Sequence, residues 1–192
     1  MNVHGGAWYT GDKSMCHLLS LELQRRGVSV ANINYRLPAE DPVPAMVEDV
    51  VAAIRWAPRP AFVAGDSAGA HLAVLAALDA PVLGVVSFSG ALDLAALNED
   101  HPRFPGYRTT LGSAANPMDR VGELRVPLLA FSSALDFFLD ATERFVRAAG
   151  GTLVYYDETH PDCTHSWQNN PRLAESQETY DRVASFVASA PS

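Results

Sequence analysis

The sequence lacks the features of several large protein classes. Its 192 residues include two cysteines, Cys16 and Cys163, which are too few and too far apart for a disulfide scaffold or a four-thiolate zinc site. The longest apolar run, at residues 72–78, is far shorter than the roughly 20 residues that cross a bilayer. The first residues lack the basic start and apolar stretch of a secretory signal. We therefore expect a cytoplasmic protein without a transmembrane segment.

Positive charge is also scarce. The chain has 14 Lys and Arg against 22 Asp and Glu, a formal charge of −8, and its densest basic pair is Arg25 and Arg26. Such a balance would repel phosphate backbones, so we expect neither nucleic-acid nor membrane partners. With 48% hydrophobic residues, the chain is not disordered and can bury one core. We expect a single domain over residues 1–192.

Short apolar runs alternate with amphipathic stretches along the whole chain. This alternation is typical of a parallel sheet with crossover helices, and it predicts an α/β fold: a three-layer α/β/α sandwich with a mostly parallel sheet of about five core strands. The predicted strands are 28–34, 61–64, 82–89, 127–132 and 152–156, and the predicted helices are 14–26, 44–56, 70–78, 139–149 and 171–188. Residues 92–124, which are rich in proline and weakly periodic, indicate an irregular excursion that could form a lid.

A G-x-S-x-G motif at residues 65–69 lies between a predicted strand and a predicted helix. In this context the serine sits on a sharp turn, and small residues on either side let the strand and helix approach closely. Ser67 would project its hydroxyl at the carboxyl edge of the sheet, beside a helix N-terminus that favours developing negative charge. The pattern predicts a nucleophilic serine.

A second glycine-rich motif, H-G-G-A-W, occupies residues 4–8. Its glycines allow main-chain N–H groups to approach a substrate oxygen, and with the amide of Ala68 the amides of Gly5 and Gly6 would form an oxyanion hole. The alternative is a glycine turn beside a packed tryptophan. The presence of the serine motif further along the chain favours the oxyanion hole.

These two motifs resemble those of the α/β-hydrolase superfamily, in its HGG-type esterase/lipase group. The likeness is closest to the kynurenine formamidase (arylformamidase) branch, which carries an H-G-G-x-W motif often followed by a D-K-S triplet. The matching segments here are residues 4–8, 12–14, 34–38, 48–49 and 65–72. The resemblance implies a shortened α/β-hydrolase fold, no cofactor, and a catalytic triad in the chain order Ser, Asp, His.

The resemblance places the acid after the strand that follows the excursion and the histidine after the last strand. Asp136 and His165 occupy those positions. His165 would take the proton of Ser67, and Asp136 would orient the imidazole. Asp140 is the alternative acid, although it reads more simply as a solvated residue in a helix N-terminus, and His160 is the alternative base, although it follows its strand closely.

For the remaining polar and aromatic residues, simpler structural interpretations compete with functional ones. A metal cluster drawn from His160, Asp162, Cys163 and His165 fits no regular ligand spacing, so we expect no metal. We expect His17 and His71 to be packed or surface residues, and His101 has no assigned role. Trp8, Tyr9 and Trp167 could line a substrate pocket, with core packing as an equal alternative. An altered Cys163 could inhibit the enzyme, but an ordinary loop thiol is the simpler interpretation.

Relatives in the resembled family have further strands before the HGG motif, where this chain has only residues 1–3. Three residues are too few to complete the ladder between the strands at 28–34 and 61–64. We therefore expect the two strands to pair differently, another chain to supply the pairing, or Met1 to be an internal methionine of a longer protein. Because unpaired edges promote association, we expect a homodimer or larger oligomer.

Together the motifs predict a serine hydrolase that cleaves small carboxylic esters, in the manner of a carboxylesterase, through an acyl-enzyme. One alternative is an arylformamidase acting on N-formyl aryl amides such as N-formylkynurenine. An alternative of another class is a non-catalytic ligand-binding protein on a hydrolase fold. The expected partner is a small-molecule ester or formamide.

Overall fold

Six parallel strands form one sheet in the computed structural model, which describes residues 1–37, 42–96 and 116–190. The spatial order is β2-β1-β3-β4-β5-β6, and each pair of neighbouring strands is parallel. The strands are β1 (Asn2–Val3), β2 (Asn32–Ile33), β3 (Phe62–Asp66), β4 (Gly84–Phe88), β5 (Leu128–Ser133) and β6 (Thr152–Tyr156).

Most of the α-helices are crossovers between these strands, and the last one follows β6. The helices are α1 (His17–Arg25), α2 (Pro42–Trp56), α3 (Ala68–Asp79), α4 (Leu139–Ala149) and α5 (Ala174–Ala188). Helix α4 ends at a glycine, because Gly150 adopts a left-handed conformation after the last turn. Among the residues that the structure describes, no helix is long and apolar enough to cross a membrane.

Helices cover both faces of the sheet, and the strand sequences show why. Val85 and Leu128 contribute to a core shared with α2, α3 and α4. Their neighbours Val86 and Leu129 point the other way, into a core shared with α1 and α5. Because successive strand residues face opposite sides, a strand that is apolar at every position needs a layer on each face. The predicted three-layer α/β/α fold is confirmed.

The expectation that residues 1–3 cannot complete the ladder is wrong. Strand β1 lies between β2 and β3 and pairs with both: Asn2 is opposite Asn32 on one side and Ala64 on the other. It makes six strands where the sequence predicts about five. The predicted strand at 28–34 is reduced to Asn32–Ile33, since β2 pairs with β1 and can extend no further than its partner does.

A groove of about 480 Å³ opens where the strands start, between residues 28–31 and 58–62. Its lining is mostly apolar and includes Leu19, Val86 and Val187. Because Ser67 follows the carboxyl end of β3, this groove lies at the opposite edge of the sheet from the serine.

The structure describes only the two ends of the predicted excursion at 92–124. Each end forms a 3₁₀ turn, at Leu94–Ala96 and at Pro117–Glu123. Residues 97–115, including His101, lie outside the described residues. The lid therefore stays a prediction, as does the single-domain organisation.

Candidate active site

Ser67 occupies the turn between β3 and α3. Its backbone is left-handed in φ, at 57°, with ψ at −118°, a conformation that non-glycine residues adopt at a cost of about 1–3 kcal/mol and that clusters at functional sites. The turn is held because the Ser67 amide donates to the carbonyl of Phe88 at the end of β4, over 2.8 Å. The strain is thus supported by the neighbouring strand.

Close packing of α3 on β1 brings the two glycine-rich segments together. A Cβ atom on Gly69 would lie 2.2 Å from the carbonyl oxygen of Val3 and 2.5 Å from that of His4. A Cβ atom on Gly5 would lie 2.9 Å from the Asp66 carbonyl oxygen. Only glycine at these two positions permits so close an approach, and the approach sets the loop after β1 against the serine turn.

Asp136 and His165 follow the ends of two neighbouring strands. Beyond β5 and β6, Leu135 and Thr164 form an isolated parallel bridge, so the residue after each of them lies at the same edge of the sheet. The imidazole Nδ1 of His165 is 3.0 Å from Asp136 Oδ1. Since a carboxylate only accepts hydrogen bonds, Nδ1 carries the proton and Nε2 is left as an acceptor.

The second imidazole nitrogen of His165 meets the serine. Nε2 is 2.9 Å from the Oγ of Ser67, which completes a continuous path from carboxylate to imidazole to hydroxyl. The Asp136 side chain is fully buried and also accepts from the amide of Phe138, at 2.9 Å. The ring of Phe137 covers the imidazole, with centroids 3.9 Å apart. The structure thus brings together the three residues that the sequence proposes, in hydrogen-bonding geometry.

The loop after β1 is ordered by aromatic contacts. Ala7 and Trp8 both have positive φ, 51° and 64°, and Trp8 is 1% exposed. Its indole N–H donates to Nδ1 of His71 on α3, at 3.2 Å. This bond ties the loop that carries Gly5 and Gly6 to the helix that carries Ala68.

The alternative acid and base lie apart from this arrangement. Asp140 is in the first turn of α4, with its side chain 71% exposed and an ion pair to Arg144. His160 contacts Asp157 at the surface, with 3.1 Å between Nδ1 and Oδ1. Among the described residues, no group of three His, Cys, Asp or Glu side chains is placed to hold a metal ion.

The three aromatic residues considered for a pocket have different surroundings. Trp8 and Trp167 are buried, and Trp167 packs edge-on against Tyr156, so core packing accounts for both. Tyr9 is 58% exposed, and a pocket role for it stays a prediction. Cys163 is buried, and desolvation raises the pKa of its thiol to about 12, which leaves it protonated at neutral pH.

Sequence reasoning assigned no role to Asp66, the variable residue before Ser67. Its carboxylate is buried and accepts from Ser166 Oγ at 2.7 Å and from Asn169 Nδ2 at 3.1 Å. Desolvation raises the pKa of Asp66, while the charge of His165 and these hydrogen bonds oppose the rise. The only signal in the sequence was an acidic residue at the end of a predicted buried strand, directly before Ser67.

The parallel sheet, the strained serine turn and the glycine loop define an α/β hydrolase of the esterase/lipase group. A model of the BD-FAE family matches residues 1–116. The chain belongs to the BD-FAE family. The predicted arylformamidase branch stays a prediction.

Curated relatives match over shorter segments of the chain. An acetyl-hydrolase of Streptomyces hygroscopicus is 46% identical over 81 residues, covering 38% of this chain and 27% of that protein. The carboxylic ester hydrolase LipN of Mycobacterium tuberculosis is 37% identical over 87 residues, covering 38% and 22%. The matched segments thus span about a quarter of the length of these two relatives.

Solved structures match over nearly the whole chain. A mutant of the esterase E40 has a TM-score of 0.81 and 27% identity, covering 97% of this chain and 75% of that one. The structure described as EstE5-PMSF has a TM-score of 0.79 and 25% identity, covering 97% and 74%.

Proposed function

We propose that this chain is a serine hydrolase that cleaves small carboxylic esters through an acyl-enzyme. The observation that carries the proposal is the unbroken hydrogen-bonded path from Asp136 through His165 to Ser67, with contacts of 3.0 and 2.9 Å. In this path Nε2 of His165 accepts the proton of Ser67 as Oγ attacks the ester carbonyl.

Asp136 has a distinct part in that step. Its buried carboxylate, fixed by the amide of Phe138, holds the imidazole with Nδ1 protonated and stabilises the imidazolium that forms. The imidazolium then donates its proton to the departing alcohol. In the second half of the cycle His165 activates water, which attacks the acyl carbonyl and releases the acid and Ser67.

The oxyanion of each tetrahedral intermediate would be bound by main-chain amides. Ala68 is the first residue of α3, where the amide has no acceptor within the helix, and the helix dipole favours negative charge there. Gly5 lies against the Asp66–Ser67 turn. We assign the amides of Gly5, Gly6 and Ala68 to this role, which is worth about 2.7–4 kcal/mol per donor.

The substrate class rests on the relatives. Those named above are an acetyl-hydrolase, a carboxylic ester hydrolase and esterases. These names favour an ester over an amide. The exposed ring of Tyr9, near the glycine loop in sequence, is our proposal for a contact with the substrate.

A fluorophosphonate probe tests the nucleophile. We expect the purified protein to be labelled once per chain, and Ser67→Ala to abolish labelling without changing the melting temperature by more than a few degrees. Ser87→Ala is a suitable comparison because Ser87 is also a buried serine, on the neighbouring strand β4, and it should remain labelled. A well-folded wild-type protein that does not react would contradict the proposal and favour a binding role.

Matched substrates test the reaction. We expect hydrolysis of p-nitrophenyl acetate and butyrate, and a much lower kcat/KM for N-formylkynurenine. The reverse order of preference would replace the esterase assignment by an arylformamidase one, with the same three side chains.

A further inference from the structure

The carboxylate of Asp66 connects two parts of the site that lie 100 residues apart in sequence. It precedes Ser67 directly, and it accepts hydrogen bonds from Ser166, which follows His165, and from Asn169. One side chain therefore bonds the turn that carries the nucleophile to the turn that carries the histidine.

The turn after His165 needs such an anchor. Ser166 has a left-handed backbone, with φ at 64° and ψ at 30°, and a strained conformation persists only where its surroundings hold it. Two hydrogen bonds to other segments of the chain hold the Ser166 backbone in this conformation. The Ser166 amide donates to Ser89 Oγ at 3.2 Å, and the Ser166 hydroxyl donates to Asp66 Oδ1. Removing the carboxylate would free one of the two.

The charge of Asp66 also acts on the imidazole. The ionisable groups that interact with Asp66 are His165 from the loop after β6, Tyr35 from the segment after β2, and Cys16 from the turn before α1. Burial raises the pKa of both Tyr35 and Cys16, so both are neutral at neutral pH. The remaining group, His165, interacts with the charge of Asp66 and also faces Asp136.

We propose that Asp66 is a positioning residue whose carboxylate clamps residues 166–169 to the nucleophile turn and thereby fixes the imidazole of His165 over Ser67. The inference deepens the proposed function and, for its kinetic consequences, rests on it. Asp66 is not a catalytic residue in this scheme, because it acts through the neighbouring turn.

Asp66→Asn removes the negative charge of the side chain and keeps its shape. Its amide oxygen can still accept from Ser166, and its amide nitrogen can donate to the Oδ1 of Asn169, a buried atom with no hydrogen-bond partner, once the Asn169 amide turns. We expect kcat for p-nitrophenyl butyrate to fall about 10- to 100-fold, with KM within about threefold, since a misplaced catalytic group lowers the rate without weakening binding.

The pH profile distinguishes positioning from general damage. Loss of a nearby negative charge disfavours the imidazolium, so the acidic limb of kcat/KM should move to lower pH in Asp66→Asn. Asp93→Asn is the matched control, because Asp93 is also a buried aspartate but bonds to Asn116 and pairs with Arg144. It should lower the melting temperature and leave the acidic limb in place.

A double-mutant cycle tests whether Asp66 acts on His165 through Ser166. If Asp66 acts through Ser166, then Ser166→Ala alone should lower kcat, and Asp66→Asn should cost less in the Ser166→Ala background than in the wild type. Strict additivity of the two losses would overturn the clamp. So would an Asp66→Asn protein that keeps kcat within twofold and an unshifted acidic limb.

A readout without substrate separates this inference from the proposed function. The imidazole of His165 can be titrated by NMR in both proteins, with its signals assigned by their loss in His165→Asn. We expect a lower imidazole pKa in Asp66→Asn. If the wild type hydrolyses no ester but this shift occurs, the proposed function fails and the clamp stands. If the wild type is active and the imidazole pKa is unchanged, the clamp fails and the function stands.

Discussion

Leu135 and Thr164 pair in a parallel bridge just beyond the ends of β5 and β6. The next residues along the chain are Asp136 and His165. Their side chains meet at this edge of the sheet, with 3.0 Å between Asp136 Oδ1 and His165 Nδ1. The bridge therefore sets Asp136 beside His165. Asp140, in the first turn of α4, faces solvent instead.

The two acidic residues should differ sharply on substitution. Asp136→Asn keeps the shape but presents an amide to the imidazole, which favours the wrong tautomer, so we expect kcat to fall about 10³- to 10⁴-fold. Asp140→Asn removes an exposed side chain and should leave kcat within twofold. Steady-state hydrolysis of p-nitrophenyl butyrate measures both. A larger loss for Asp140→Asn would reassign the acid.

Trp8 should contribute to both stability and rate. Trp8→Phe deletes the indole donor to His71 and leaves part of its buried volume empty, so we expect a loss of about 1–3 kcal/mol in the free energy of unfolding. Urea denaturation measures the loss. Tyr9→Phe, at the exposed neighbouring position, should change stability by less than about 0.5 kcal/mol.

A rate effect should accompany the stability effect at Trp8. Because the loop holding Gly5 and Gly6 is tied to α3 through Trp8, its release should lower kcat of the folded fraction. An unchanged kcat in folded Trp8→Phe protein would mean that the glycine loop keeps its geometry without the indole bond.

Gly69 should tolerate no side chain. Its Cβ would meet the carbonyl oxygens of Val3 and His4 at 2.2 and 2.5 Å, so Gly69→Ala must push α3 away from β1 and should cost about 1–3 kcal/mol or more. Gly122→Ala is the control, since nothing lies within 4 Å of its added methyl group. Thermal unfolding of the two variants measures the contrast. Equal melting temperatures would show that α3 can shift at little cost.

The two thiols should resist alkylation in the folded protein. Burial raises the pKa of Cys16 and of Cys163 to about 12, and the thiolate is the reactive form. At pH 8 we expect iodoacetamide to modify neither cysteine in buffer and both in 8 M urea, as counted by mass spectrometry. Rapid modification of native Cys163 would revive its interpretation as an inhibitory site.

The same shifts fix a direction for stability against pH. An unfolded thiol loses its proton near pH 9 while the folded one keeps it to about 12, so unfolding releases protons in this range. Stability should therefore be full below about pH 8.5 and fall as the pH rises above 9, by up to about 1.4 kcal/mol per pH unit for each thiol. Urea unfolding at pH 8 and 9.5 measures the slope, and the Cys16→Ala, Cys163→Ala double variant should flatten it.

Local sequence was sufficient to predict the serine turn and most of the helices. The Ser67 turn needs only a strand, two small residues and a helix in succession, all within about a dozen residues. The helix at Leu139–Ala149 has its predicted bounds. Its amphipathic face and the glycine that ends it are both features of neighbouring residues in the sequence. The apolar runs likewise predicted strands buried on both faces.

Pairing between distant segments was beyond local patterns. The pattern at residues 28–34 predicts a strand of seven residues. Of these, Asn32 and Ile33 pair with β1, because β1 itself has two residues. Whether residues 1–3 could enter the sheet depended on the approach of α3 through Gly69, which no pattern in residues 1–8 encodes.

By itself, then, the sequence determined the α/β class, the serine turn and the glycine loop, since each depends on neighbours along the chain. The tertiary structure alone decided that Asp136 lies beside His165, that Trp8 bonds to His71, and that Asp66 bonds to Ser166, 100 residues away. Those relationships depend on which strand ends meet at one edge of the sheet. That is set by the packing of the whole chain.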